Sequence, residues 1–271
     1  MIKLAEDTID KTDMDALSNW IKTYPKLTKG NLTIQFEKEW SNYIGVKNST
    51  FVNSGSSANL LMLYSLIEAK KINVGDKVVV PALSWATDLS PVIQLGLIPI
   101  LCDCNTEDYS LDLENLKNTI MLEKPKAVIL VSVLGLVPKM NEIVDLCREN
   151  NIILLEDCCE SFGSKYKNKR LGSFGLMSSF STYFGHHLST IEGGLICTSD
   201  DEMNDILKSI RNHGWDRDWE EDTKKSKKIE WGVSDFDALY TFYHAGFNVR
   251  ATDLQAFIGL GQLKKANDIC E

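Results

Sequence analysis

The sequence predicts an α/β domain on a mainly parallel sheet, and two observations carry that prediction. From about residue 48, short β-branched runs alternate with longer segments whose apolar residues recur at helical spacing. That alternation implies βαβ units and a sheet covered on both faces. After Asp157 the pattern changes, and two strand candidates follow one another with little room for a helix between them.

In chain order the candidate strands are 50–53, 78–81, 99–103, 127–133 and 152–157. Between them, 58–71, 86–95, 113–121 and 141–150 read as helices by length and apolar spacing. The close pair of strands is 178–184 and 194–198. Residues 215–237 have no clear period and are dense in charge and tryptophan. Their run Lys224-Lys225-Ser226-Lys227-Lys228 reads as a solvated loop, and in a sharper reading as a lid meeting a nucleotide diphosphate. A last helical pattern covers 254–265, shortly before the sequence ends at Cys270-Glu271.

With 271 residues, 44% of them hydrophobic and 25% charged, the chain can bury a proper core. A net charge of −9 argues against nucleic-acid binding, which needs a basic surface, but leaves room for a locally positive phosphate site. The first residues, MIKLAEDTIDK, lack the apolar core of a signal peptide. The longest apolar run, 127–137, is shorter than the about 20 residues a membrane helix needs. A cytoplasmic protein with no membrane partner is expected. Seven scattered cysteines read as reduced core residues, and Cys102-x-Cys104 and Cys158-Cys159 lack zinc-site spacing, so no metal is expected.

Four segments carry candidate chemistry. In Asn53-Ser54-Gly55-Ser56-Ser57-Ala58-Asn59 a strand enters a small-residue turn and a helix starts at once. Such a turn is either a phosphate cradle of backbone N–H groups and hydroxyls or simply a capped helix start. Leu154-Leu155-Glu156-Asp157 ends a buried-looking strand in acids, where open parallel sheets bind ligands; a helix cap is the plainer reading. The segment from Ser181 to Gly194 sets His186 and His187 side by side before a Glu192-Gly193-Gly194 turn. If extended there, the two imidazoles point opposite ways, one able to face a site while the other packs. Finally, Gly246-Phe247-Asn248-Val249-Arg250 places polar groups just ahead of a helix.

These pieces, in this order, resemble the DegT/DnrJ/EryC1/StrS family of nucleotide-sugar aminotransferases from about Phe36 to the last residue. The resemblance implies a pyridoxal-phosphate-dependent transferase of fold type I, aspartate-aminotransferase-like. The large domain with its mainly parallel or mixed central sheet is expected here, and a smaller C-terminal domain of roughly 100 residues is expected to be missing. It divides the chain into an N-terminal, substrate-side segment 1–35, a cofactor-binding domain 36–253 and the start of a linker helix 254–271. It assigns Gly55, Ser56, Ser57 and Ser181 to the cofactor phosphate and Trp85 to the ring face. Asp157 falls to the ring nitrogen, Glu160 to the neighbourhood of the ring hydroxyl, and Asn248 to the phosphate site of a partner in a homodimer.

Glu160 stands where the family usually has glutamine, and a second position departs further from the family pattern. Counting back from Glu192, His186 stands where the family's aminotransferases carry the lysine that forms a Schiff base with the cofactor. Gly185-His186-His187-Leu188-Ser189-Thr190-Ile191-Glu192 looks most like the 3-dehydratase branch, that of GDP-4-keto-6-deoxymannose in particular. The resemblance then implies C3 deoxygenation of a nucleotide-linked 4-keto-6-deoxy sugar in deoxysugar and lipopolysaccharide biosynthesis. The cofactor stays non-covalently held in its pyridoxamine form, His186 serves as acid and base, and glutamate restores the amine. An ordinary nucleotide-sugar aminotransferase, which would need a lysine from elsewhere, and a non-catalytic cofactor- or sugar-nucleotide-binding fragment are the competing readings.

Overall fold

Three consecutive valines, Val78, Val79 and Val80, are all fully buried because a strand sends successive side chains to opposite faces and both faces are covered. Val78 and Val80 join one apolar cluster and Val79 the other. Residues 127–131 alternate between the same two clusters. The computed structural model describes residues 7–270, so the outermost residues of the expected segments 1–35 and 254–271 lie outside the described residues.

The elements run α1 (Lys11–Ile21), α2 (Asn31–Ile44), β1 (Asn48–Val52), α3 (Gly55–Glu68), β2 (Lys77–Pro81), α4 (Ala86–Gln94) and β3 (Ile98–Cys102). They continue with α5 (Leu113–Glu123), β4 (Ala127–Val131), α6 (Met140–Glu149), β5 (Ile153–Asp157), the two-residue strands β6 (Lys165–Tyr166) and β7 (Lys169–Arg170), and β8 (Met177–Ser181). The last are β9 (Gly194–Thr198), α7 (Asp201–Ile210), α8 (Glu221–Trp231), α9 (Asp253–Lys264) and α10 (Ala266–Cys270).

The main sheet has seven strands in the order β1-β9-β8-β5-β4-β2-β3. All neighbouring pairs are parallel except those of β9, which runs antiparallel to β8 and to β1. The expected mixed, mainly parallel sheet is therefore present, and the close pair of strands is its antiparallel portion. One face is covered by α3, α4 and α7, the other by α2, α5, α6 and α9. Burying each Leu, Ile or Phe of these faces contributes about 1.5–3 kcal/mol. On the second face Phe36, Trp40, Phe51 and Phe180 pack edge to face, which fixes α2 across β1 and β8.

Several expectations need correction. Residues 224–228 are not loop but lie in α8, which buries no residue. Lys224 with Glu221 and Lys227 with Glu230 are paired one turn apart, acids occupy its first turn, and Gly232 ends it in the left-handed region. Charge pairing rather than an apolar stripe holds this helix, so periodicity could not show it. Strand β8 ends at Ser181 rather than 184, and β4 at Val131 rather than 133. Not all cysteines are core residues, since Cys270 is exposed and Cys104 and Cys159 are half-buried. No helix among the described residues is long and apolar enough to cross a membrane.

Candidate active site

The segments singled out in the sequence converge at the carboxyl ends of the parallel strands. Ser54 caps α3, accepting from the Ser57 amide at 3.1 Å, and the Ala58 amide donates to the Ser54 carbonyl. That leaves the amides of Gly55 and Ser56 as the free donors of the helix start, with the positive end of the helix behind them. The turn is wedged between two strands. A Cβ built on Gly55 would meet the Ser181 Cβ at 2.7 Å, and one on Gly194 would meet the Ser54 carbonyl carbon at 2.4 Å. Glycine at both positions brings β8 and β9 against the turn and sets Ser181 beside it.

Asp157 ends β5, is only 5% exposed, and is held from two sides. Its Oδ1 accepts from the Cys159 amide at 2.8 Å and its Oδ2 from Asn59 Nδ2 at 2.6 Å. Helix α3 is mostly apolar and buries eight of its 14 residues, Asn59 among them, so this polar side chain requires such partners. The same Nδ2 reaches Asp88 Oδ1 at 3.2 Å. Asp88 lies in the first turn of α4, directly after Trp85, the N-cap residue, whose indole is 72% exposed. Neither Asn59 nor Asp88 was identified from the sequence. The available signals were an asparagine in an otherwise apolar helix and an acid beside an expected ring-stacking tryptophan.

Glu160 follows β5 and accepts from the Leu134 amide at 2.8 Å. Leu134 has φ +53°, an unfavourable conformation that aims its N–H at this carboxylate. His186 stands in a loop closed at its base, where the Thr190 amide donates to Thr182 at 2.8 Å and the two threonine hydroxyls are 2.5 Å apart. The loop is a series of turns, so the premise of an extended His186-His187 pair does not hold. Both imidazoles are half-buried, and burial lowers both below the usual histidine value. For His186 the charges of Glu160 and then Asp157 oppose that shift, while His187 adds to it.

Gly55 and Ser181 are thus brought together, and Glu160 and Asp157 lie near enough to His186 for their charges to act on it, with Trp85 one turn of α4 before Asp88. Ser56 is exposed at the helix start, and Ser57 donates from its hydroxyl to Asn53 Oδ1 at 2.7 Å. Asn248 stands apart from them. It is exposed on a segment that runs antiparallel to the end of β1, where the Asn53 amide donates to the Val249 carbonyl at 2.9 Å.

The family model of the DegT/DnrJ/EryC1/StrS aminotransferase family matches residues 7–271. A GDP-4-keto-6-deoxy-D-mannose 3-dehydratase from Yersinia pseudotuberculosis is 37% identical over 270 residues, 99% of this chain and 68% of that protein. Among solved structures, the E. coli GDP-4-keto-6-deoxy-D-mannose-3-dehydratase with bound hydrated PLP superposes with a TM-score of 0.90 at 38% identity, over 98% of this chain and 69% of the other. A GDP-4-keto-6-deoxymannose-3-dehydratase structure with a trapped PLP-glutamate geminal diamine matches at TM-score 0.90 and 37% identity, with the same coverage.

Proposed function

Because the chain belongs to the DegT/DnrJ/EryC1/StrS aminotransferase family, we propose that it is a pyridoxal-phosphate-dependent 3-dehydratase of a nucleotide-linked 4-keto-6-deoxyhexose, with His186 as its acid–base group. What supports this reading is the half-buried imidazole of His186, acted on by the charges of Glu160 and Asp157, at the position that the resemblance matches to the lysine of the family's aminotransferases. The 3-dehydratases at 37–38% identity make the GDP-linked mannose derivative the first substrate to try.

The residues present fit the cofactor. Free amides at the start of α3 beside Ser181 suit a phosphate, and the enclosed carboxylate of Asp157 suits a protonated ring nitrogen. The exposed indole of Trp85 offers a face for stacking, and Glu160 is tied down by Leu134 on the same side as His186. Bound there in its pyridoxamine form, the cofactor supplies an amine for the sugar ketone and a ring that accepts electrons.

The chain's own groups move the protons. Asp157 keeps the proton on the ring nitrogen. Burial leaves His186 uncharged near neutral pH, so one ring nitrogen can accept a proton and return it to the departing C3 hydroxyl. Imidazole cannot replace lysine in Schiff-base chemistry, and cofactor retention therefore falls to the phosphate cradle and Asp157. The enzyme acts as a homodimer in the cytoplasm, with Asn248 reaching the partner's phosphate site and glutamate as amino donor. The exposure of Asn248 supports the first of these.

The test is spectroscopic. The chain is loaded with pyridoxal phosphate and treated with borohydride beside a His186→Lys variant, and turnover is assayed with GDP-4-keto-6-deoxymannose and glutamate. The reading requires no trappable imine in the wild type, bleaching by glutamate, a trappable adduct in the variant and a 3-deoxy product. A trappable imine in the wild type, or an amino sugar as product, would turn the assignment to an aminotransferase.

A further inference from the structure

Two carboxylates at the site share one amide nitrogen and have no cation between them among the described residues. Asp157 and Asp88 are 5% and 1% exposed, and both accept from Asn59 Nδ2. Their donors are unequal. Asp157 has the closer Asn59 contact, 2.6 Å against 3.2 Å, and the Cys159 amide as well. The second oxygen of Asp88, Oδ2, is enclosed with no donor, and so is Asn59 Oδ1. The titratable groups acting on Asp88 are Asp157 and Glu160, both acidic, with the Cys159 thiol adjoining the pair.

Two buried carboxylates this close cannot both be ionised, and the proton settles on the one with fewer donors. We propose that Asp88 is a positioning acid, neutral through physiological pH, whose proton bonds to Asp157 and confines the single negative charge to the carboxylate that meets the cofactor ring. Burial, and after it the charge of Asp157, moves Asp88 in the direction this requires. The pair holds one proton and one charge. An ionised Asp88 would instead set a second buried negative charge against Asp157, with only the Asn59 amide shared between them. The role assigned to Asp157 rests on the proposed function, whereas the protonation of Asp88 does not.

The experiment compares the purified 271-residue chain with Asp88→Asn and Asp88→Leu. Infrared spectra of the cofactor-free wild type near neutral pH, minus those of D88N, are expected to show one protonated carboxyl band that shifts in deuterium oxide. Glu156, also buried, is common to both proteins and cancels in the difference. In pyridoxal phosphate titrations D88N, which keeps a neutral donor, is expected within about threefold of wild type, and D88L at least about tenfold weaker. Loss of no carboxyl band in D88N would show Asp88 ionised and overturn the proposal. Cofactor binding by D88N as weak as by D88L would overturn its positioning role. A wild-type chain that binds no cofactor would count against the proposed function, while the infrared comparison would still decide whether the Asp88–Asp157 pair carries a proton.

Discussion

Gly55 and Ser181 are in backbone contact: a methyl group on the glycine would lie 2.7 Å from the serine Cβ and 3.3 Å from its Cα, with Cys159 Sγ at 3.1 Å. None of these is the far end of a flexible side chain, so a substitution must push α3 away from β8. Gly55→Ala is expected to cost about 1–3 kcal/mol of stability by overpacking. It should also weaken pyridoxal phosphate binding by at least about tenfold, because the amides of the cradle move with the helix. Urea unfolding and a cofactor titration check the two effects, and a variant with wild-type values in both would remove the cradle from this turn.

Under the proposed function, the pH dependence of turnover reports on His186. Burial depresses its pKa, so the base form persists below the ordinary histidine value of about 6.5 and is lost only as the pH falls through the lowered value. The acid limb of kcat/KM is expected to have its midpoint below about 6.5. His186→Asn should lower kcat by about 100-fold or more and abolish that limb. A midpoint above the ordinary value, or an unchanged limb in the variant, would assign the proton transfer elsewhere.

The strands were readable because both of their faces are buried, which makes runs such as Ala127–Val131 apolar throughout. Strand β9 has the ends its apolar run predicts, and α9 starts one residue before its apolar spacing does, because Thr252 and Gln255 form a capping box ahead of it. Helices α1, α2 and α7 lie outside the predicted elements, and of these α1 and α7 carry aspartate caps at Asp10 and Asp200. At the site, Asp157 could be found because its strand ends in acids. For Asn59 and Asp88 the sequence offers only a polar residue in an apolar helix and an acid near a tryptophan, since the contacts that pair them, 98 and 29 positions apart, arise only in the fold.

A buried ion-pair network ties α7 to α2. Arg211, fully buried at the end of α7, donates to Glu37, to Asp218 at 3.0 Å and to the Phe51 carbonyl at 2.8 Å. Removing one partner strands a charge in the core, so Arg211→Met is expected to cost about 3–5 kcal/mol. Adding Glu37→Met should recover part of that loss, because the uncompensated carboxylate goes with it. Urea midpoints of the two variants decide the point. A double variant less stable than R211M by the full cost of a second mutation would mean that the network acts through packing alone.

The proton on Asp88 has a thermodynamic consequence that needs no cofactor. Burial raises the folded-state pKa above the unfolded value of about 3.9, so between these values the folded chain binds one more proton than the unfolded chain. The contribution of wild-type Asp88 is therefore fully present below about pH 3.9 and declines as the pH rises toward the folded pKa. Asparagine carries no such proton. The stability of Asp88→Asn relative to wild type is thus expected to grow as pH rises from about 5 to about 8, with a slope of at most about 1.4 kcal/mol per pH unit. His186 also titrates over part of this range, but it is present in both proteins and drops out of the difference. Urea unfolding of both cofactor-free chains at several pH values gives the slope directly. A difference that stays flat with pH would mean that Asp88 is ionised in the folded chain, and the charge at Asp157 would then need another explanation.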